Sequence, residues 1–226
     1  AEEQLFRIAE EVAGLLEEHR GQMREVAEVD RERAGAAAPT RAQKMRLRNI
    51  ARKEGTLGTR AEELAKPIQE EGTRVAAGLL LNAASDLARL ARDLGEEGEY
   101  QTGSRVQGIQ RDVEESLLWL LDALAAEKAR RQEERPPPGQ PNPGQDTQPL
   151  IPDSAELKLL RRMEVDLRES MDALRTLYPE IDATQELDPS VLRELTRLAA
   201  RHERVTELFR DLRTRVGIPA PGEAED

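Results

Sequence analysis

One stretch limits what this chain can fold into more than any other. Residues 136–152 read PPPGQPNPGQDTQPLIP and hold seven of the 13 prolines. A helix cannot run through it, because each proline lacks an amide donor and its ring clashes with the preceding turn. The stretch is expected to be an extended, exposed, semi-stiff linker. It separates residues 1–135, read as a three-helix N-terminal array, from residues 153–217, read as a C-terminal αα-hairpin. Residues 218–226 (IPAPGEAED) form a disordered tail on this reading.

On both sides of the linker the apolar residues recur at alternating steps of three and four, the spacing of a coiled-coil seam. The first seam is Leu5, Ile8, Val12, Leu15, His19, Gln22, Val26 and Val29, on a helix over about residues 1–33. Thr40 with Gln43 has capping-box spacing and opens a second, long helix over about residues 41–94. Its seam runs Leu47, Ile50, Glu54, Leu57, Ala61, Leu64 and Ile68, then resumes out of phase as Ala76, Leu80, Ala83, Leu87, Leu90 and Leu94. Pro67 is expected to kink or divide it, with residues 41–70 lying on the first helix and residues 73–94 on the third. After the loop at 95–103, Ser104 with Gln107 offers another capping box. Val106, Ile109, Val113, Leu117, Leu120 and Leu124 form the third stripe, whose charged end at 127–135 is expected to project into water.

Beyond the linker, Asp153 with Glu156 repeats the capping-box spacing. Leu157, Leu160, Leu167, Met171 and Leu174 make a fourth stripe, which Tyr178-Pro179 ends. Asp188 is an N-cap followed by Pro189 at the favoured first position. The fifth seam is Val191, Leu195, Leu198, His202, Val205, Phe209, Leu212 and Val216, stopped by Gly217 and Pro219. An L-x-x-[I/L]-A pattern recurs at residues 5–9, 47–51 and 195–199. Duplication of a helical unit would produce it, and so would convergence, since a heptad seam imposes these spacings.

The fold class that follows is all-α: an elongated antiparallel helical bundle or coiled coil of about five helices, with no sheet. Composition agrees, since aromatic residues are 2% of the chain and charged residues 35%. The absence of cysteine excludes disulfides, thiolate metal sites and a cysteine nucleophile. The longest apolar run, LLWLL at 117–121, is far short of the roughly 20 residues that cross a bilayer. A net charge of −11 argues against general nucleic-acid binding.

The chemistry-bearing residues are few. His19 and His202 both fall on seams, but a di-metal bundle needs Glu three residues before each, and here stand Leu16 and Ala199. They read as polar seam residues that set register. The glycines of GEEGEYQTGSRVQG (95–108) lack the Lys and the preceding strand of a phosphate loop, and GTLGTR (55–60) fails likewise and reads as a place where two backbones come close. No catalytic residue, metal ligand or cofactor site is therefore expected.

Arg41, Lys44, Arg46, Arg48, Arg52 and Lys53 form an acid-free run and are the candidate surface for an anionic partner. In a hairpin, Glu25, Glu28, Asp30 and Glu32 would neutralise several of them. No aromatic residue interleaves them to stack on bases. Trp119, the one tryptophan, is either a core plug or an interface anchor.

The segments YQTGSRVQGIQRDVEESLLWLLDAL (100–124) and LIPDSAELKLLRRMEVDL (150–167), flanking the proline-rich linker, resemble exported bacterial coiled-coil proteins of unknown function. The resemblance implies helices and export to the periplasm or beyond, with the cytoplasm as the alternative, and it implies no activity or cofactor. A first residue that is Ala and not Met, together with the lack of cysteine, fits loss of a secretory signal. The expected function is a non-enzymatic scaffold or adaptor that meets a protein partner, or a second copy, through its helices. The alternative is a helical ligand-binding or chaperone-like protein using the patch at 41–53 or an open groove.

Overall fold

The structure, a computed structural model, describes residues 2–33, 35, 38–133, 149–181 and 188–219. It is all-helical, with no strand among those residues. Six helices follow one another: α1 (Glu2–Arg33), α2 (Arg41–Glu70), α3 (Arg74–Leu94), α4 (Ser104–Glu133), α5 (Asp153–Leu177) and α6 (Pro189–Arg215). They fall into two compact units, residues 1–152 and residues 153–226.

The first unit holds four helices where the sequence pattern implied three. The long second helix does not merely kink at Pro67; it ends and doubles back. Pro67 stays inside α2, where it removes one intrahelical donor close to the terminus. The break comes at Gly72, whose φ of +80° favours glycine. Gly72 N–H donates to the Gln69 carbonyl (3.0 Å) and Thr73 N–H to the Ile68 carbonyl (3.2 Å). That paired closure is a Schellman cap. α3 then runs antiparallel to α2 at very short range: a Cβ at Gly58 would stand 3.2 Å from the Ala84 carbonyl oxygen, and one at Gly55 3.6 Å from the Ala91 Cβ. The glycines at 55–60 do mark a close backbone approach.

Each helix of this unit packs on two others, α1 on α2 and α4, and α3 on α2 and α4. The ring closes as an up-down-up-down bundle. Antiparallel order shows in the ion pairs, with Arg46 to Glu28 and Glu32, Lys53 to Glu25 and Arg60 to Glu18. It shows again between α1 and α4, with Arg33 to Thr102, Arg20 to Glu114 and Lys128 over the Phe6 ring. Two neighbours cover both rows of a seam, and all eight α1 seam residues are buried.

Local signals account for several helix ends. Thr40 and Gln43 form the expected capping box, and Asp188 caps α6 by accepting from Ser190 N–H (2.7 Å) with Pro189 behind it. Gln107, by contrast, turns away from Ser104: its amide donates to Asp30 Oδ2 (3.2 Å) and the Thr102 carbonyl (2.9 Å). A further correction concerns the charged end of α4, which does not stand free in water. Glu127 is buried and accepts from Arg130 (2.8 Å) and Arg131 (2.6 Å), and Arg131 reaches the carbonyls of Pro149 and Leu150. Burial alone would push the Glu127 carboxyl up, but the two guanidinium groups hold it below its ordinary value. Most of the proline-rich linker lies outside the described residues; its final part does not match an exposed spacer, since Leu150 and Ile151 are buried. In the proposed tail, Ile218 is exposed and residues 220–226 lie outside the described set.

The second unit is the αα-hairpin. α5 and α6 pack through Leu167, Leu174, Ile181, Val191 and Leu198, with Met171 and Leu195 partly covered. Arg201 lies beside Asp166 (3.3 Å), and Arg215 pairs with Asp153 (2.8 Å) and Glu156. Asp153 and Glu156 thus hold the far end of α6 against the start of α5.

The glycine geometry predicts opposite outcomes at two helical positions. Nothing lies within 4 Å of a Cβ at Gly21, so Gly21→Ala should raise stability by about 0.5–1 kcal/mol through lower backbone entropy in the unfolded chain. Gly58→Leu should lower it by about 1–3 kcal/mol by forcing α2 and α3 apart. Denaturant unfolding followed by Trp119 fluorescence reads both, since that residue sits on α4 of the same bundle.

Candidate functional site

At mid-height in the four-helix unit a polar layer interrupts the apolar core. His19 from α1, Glu54 from α2 and Gln110 from α4 converge there, and the first two have no solvent exposure at all. His19 Nε2 donates to the Gln110 main-chain carbonyl (2.9 Å), and Nδ1 stands 2.9 Å from Glu54 Oε2. The Gln110 side-chain amide donates to Glu54 Oε1 (3.4 Å). A carbonyl can only accept, so Nε2 carries a proton; the carboxylate facing Nδ1 favours a second, making the pair an imidazolium and a carboxylate. Burial by itself pulls an imidazole pKa down. The hydrogen bond and charge of Glu54, the Gln110 carbonyl and the Glu114 carboxylate on α4 together outweigh it, and the His19 pKa lies above the ordinary 6.5. Sealed from solvent, this cluster acts on the fold: it satisfies its own donors and acceptors and fixes the register of three helices.

The six basic residues at 41–53 all stand on α2 and differ in the partners they meet. Arg46 is held by Glu28 (2.8 Å) and Glu32 (2.8 Å), and Lys53 by Glu25 (3.5 Å). These are the acids expected across the hairpin, except that Asp30 turns to Thr102 and Gln107. Arg48 reaches Glu96 (3.0 Å), while Arg41 and Arg52 are exposed. The chain does bring an aromatic ring to this end, from a distance in sequence that no local pattern covers. Tyr100 lies buried beneath the Lys44 ammonium (5.4 Å to the ring centre) and the Arg48 guanidinium (5.6 Å).

The loop that delivers Tyr100 is tightly built. Glu99 and Tyr100 both have positive φ, +56° and +60°, and a Cβ at Gly98 would sit 2.3 Å from the Asp93 Cα. Only glycine fits at 98. Tyr100 N–H donates to the Gly95 carbonyl (3.0 Å), its own carbonyl accepts from Arg33 (3.0 Å), and Gln101 N–H donates to the Asp93 carbonyl (2.9 Å). Being covered, Tyr100 serves as a platform for the two cations and leaves no face for a base.

The second unit presents the opposite situation, apolar residues without cover. On α6, Val191, Leu198, Val205 and Leu212 are buried, whereas alternate seam positions His202, Phe209 and Val216 are exposed and Leu195 only partly covered. On α5, Leu159, Leu160, Met163, Leu167 and Leu174 are buried, while Leu157 and Glu164, and Tyr178 just beyond the helix, are exposed and Met171 is half-buried. Between the two outward rows runs an open groove of about 630 Å³. Leu167, Met171, Leu195 and Leu198 floor it, and charged residues of α5 stand along one edge. Trp119, the other candidate contact, is half-buried on α4.

Among the described residues no group of His, Cys, Asp and Glu is placed to hold a metal ion, and no helix is long and apolar enough to cross a membrane. Comparison with protein-family models, curated proteins and solved structures finds no match.

The buried pair predicts a strongly non-additive mutational cycle. Glu54→Leu leaves an unpaired charge in the core and should lower stability by about 3–5 kcal/mol, while His19→Leu/Glu54→Leu should lose much less than the two single changes summed. It also predicts a pH dependence with a definite sign. The folded state binds the His19 proton more tightly than the unfolded chain does. The stabilisation is therefore complete below pH 6.5 and is lost as pH rises through the raised folded-state value. Unfolding monitored at Trp119 should show this alkaline decline in the parent chain, and the double variant should lack that component.

Proposed function

We propose that the protein is a non-enzymatic interaction module, a scaffold or adaptor that works through helix–helix contacts, and that the outer face of the α5–α6 hairpin is where it makes them. The observation carrying this reading is the contrast between the units. In the four-helix unit α1 covers its whole seam, whereas α6 covers only alternate positions of its own, and on α5 Leu157 is exposed and Met171 half-buried. Large apolar side chains left out in water are concentrated on the hairpin: Leu157, Leu177, Tyr178, Leu192, Phe209 and Ile218 are all more than 40% exposed. Apolar patches of that kind, rimmed by charge, mark contact surfaces. The basic run at 41–53 supports a ligand-binding role less well, because Glu25, Glu28 and Glu32 already occupy Lys53 and Arg46.

The test is affinity capture from the native host with the parent chain and with Leu157→Glu/Phe209→Glu. Both positions are exposed, so the change itself should shift stability by no more than about 0.5 kcal/mol at each. The parent should capture a protein that the variant, with unchanged helicity, loses. Capture of the same proteins by both would overturn the reading.

A further inference from the structure

The groove between α5 and α6 is open, and beside it Leu157, His202 and Phe209 are exposed and Met171 and Leu195 only partly covered. Whatever fills it must present rows that match. Resting on the interaction reading above, we propose that a second copy of this chain does so: two α5–α6 hairpins pack face to face, antiparallel about a two-fold axis, and form a four-helix bundle.

The charges along the groove select this partner. On α5, Glu164, Arg168, Asp172 and Arg175 stand along the groove edge in alternating sign. Read in the opposite direction the order inverts, so an α5 antiparallel to itself faces unlike charges throughout. With the axis crossing α5 near residue 170, Glu164 meets Arg175 of the second copy and Arg168 meets Asp172 of the second copy. Arg168 also pairs with Glu164 inside its own helix (2.7 Å), an exposed contact of the kind that holds little energy and is readily exchanged. A parallel α5–α5 contact would instead oppose like charges.

The apolar rows fit the same axis. The Arg201–Asp166 pair sets the middle of α6 level with it. Antiparallel packing of α6 on its copy then places Leu195 beside His202 of the second copy. Ala199, a small residue on the groove, falls near the crossing point, where helices come closest. Every contact of such an interface is made twice, as a closed two-fold dimer requires. Helices of 25 and 27 residues are roughly 37–40 Å long, and two side by side are about 20 Å across. The face they offer is therefore roughly 700–800 Å², the per-partner area of a standard stable interface.

Sedimentation equilibrium of the full chain tests this, together with Arg168→Glu, Asp172→Arg and their combination. The parent should be a dimer. Either single reversal sets like charges against each other at both symmetry-related contacts and should raise the dissociation constant at least about tenfold. A 1:1 mixture of the two single variants should recover dimer, because unlike charges then face each other at both contacts, and the double variant should recover it alone. Recovery in the mixture also shows that neither single variant has simply misfolded. A monomeric parent, single variants that dimerise like the parent, or a mixture that does not recover would each overturn the proposal. A monomeric parent whose host partner is still lost on Leu157→Glu/Phe209→Glu would overturn the self-pairing alone, whereas host capture indifferent to those changes would remove the interaction reading beneath it.

Discussion

An apolar residue at every third and fourth position makes two adjacent rows on a helix, and in a bundle two neighbouring helices share in covering them. That requirement organises this chain. In the first unit the helices meet it by closing into a ring, so α1 buries Val12 and Leu15 as fully as Val26 and Val29. In the second unit α5 and α6 pack on each other. The same L-x-x-[I/L]-A pattern that is covered at Leu47, Ile50 and Ala51 leaves Ala199 exposed and Leu195 partly so in α6. The same local pattern thus reaches different burial in the two units.

Uniform leucine seams slide easily, since a shift of one heptad presents another set of apolar residues. The polar layer removes that freedom. Sliding α1 by a heptad would leave the imidazolium of His19 and the carboxylate of Glu54 apart, each buried and uncompensated, at a penalty of several kcal/mol. Gly58 adds a second constraint, because only its missing side chain lets α2 approach the Ala84 carbonyl so closely. Register and helix spacing in the bundle rest on a few residues of unusual type, and the many leucines supply the bulk of the driving force.

Much of this was legible beforehand. The positions that turn inward on α1, the capping box at Thr40 and the Asp188–Pro189 start of α6 all follow from local chemistry. Pairing of Arg46 and Lys53 with the acids of α1 followed from an antiparallel hairpin. Hidden were the contacts between residues far apart in the chain. His19 and Glu54 each read as an odd polar residue on a seam, and nothing nearby says that they meet each other and Gln110. Tyr100 gave only the weak signal of a lone aromatic in a loop of glycine and glutamate, and its place under Lys44 and Arg48 depends on how α3 returns. Division of the long second helix into residues 41–70 and 73–94 was among the expected outcomes, but it was read from Pro67, whereas the reversal is set by Gly72 and the hydrogen bonds that close around it.

The residue pattern alone determined the secondary structure, the inward positions and the division at the proline-rich run, because helix periodicity, capping and proline geometry act within a few residues. Only the tertiary structure decided how many neighbours each helix has, which polar groups share the core and which apolar rows stay uncovered. Those outcomes depend on the path of the turns and on steric fit between backbones, at Gly72 and Gly58 above all, and no spacing along the chain encodes them.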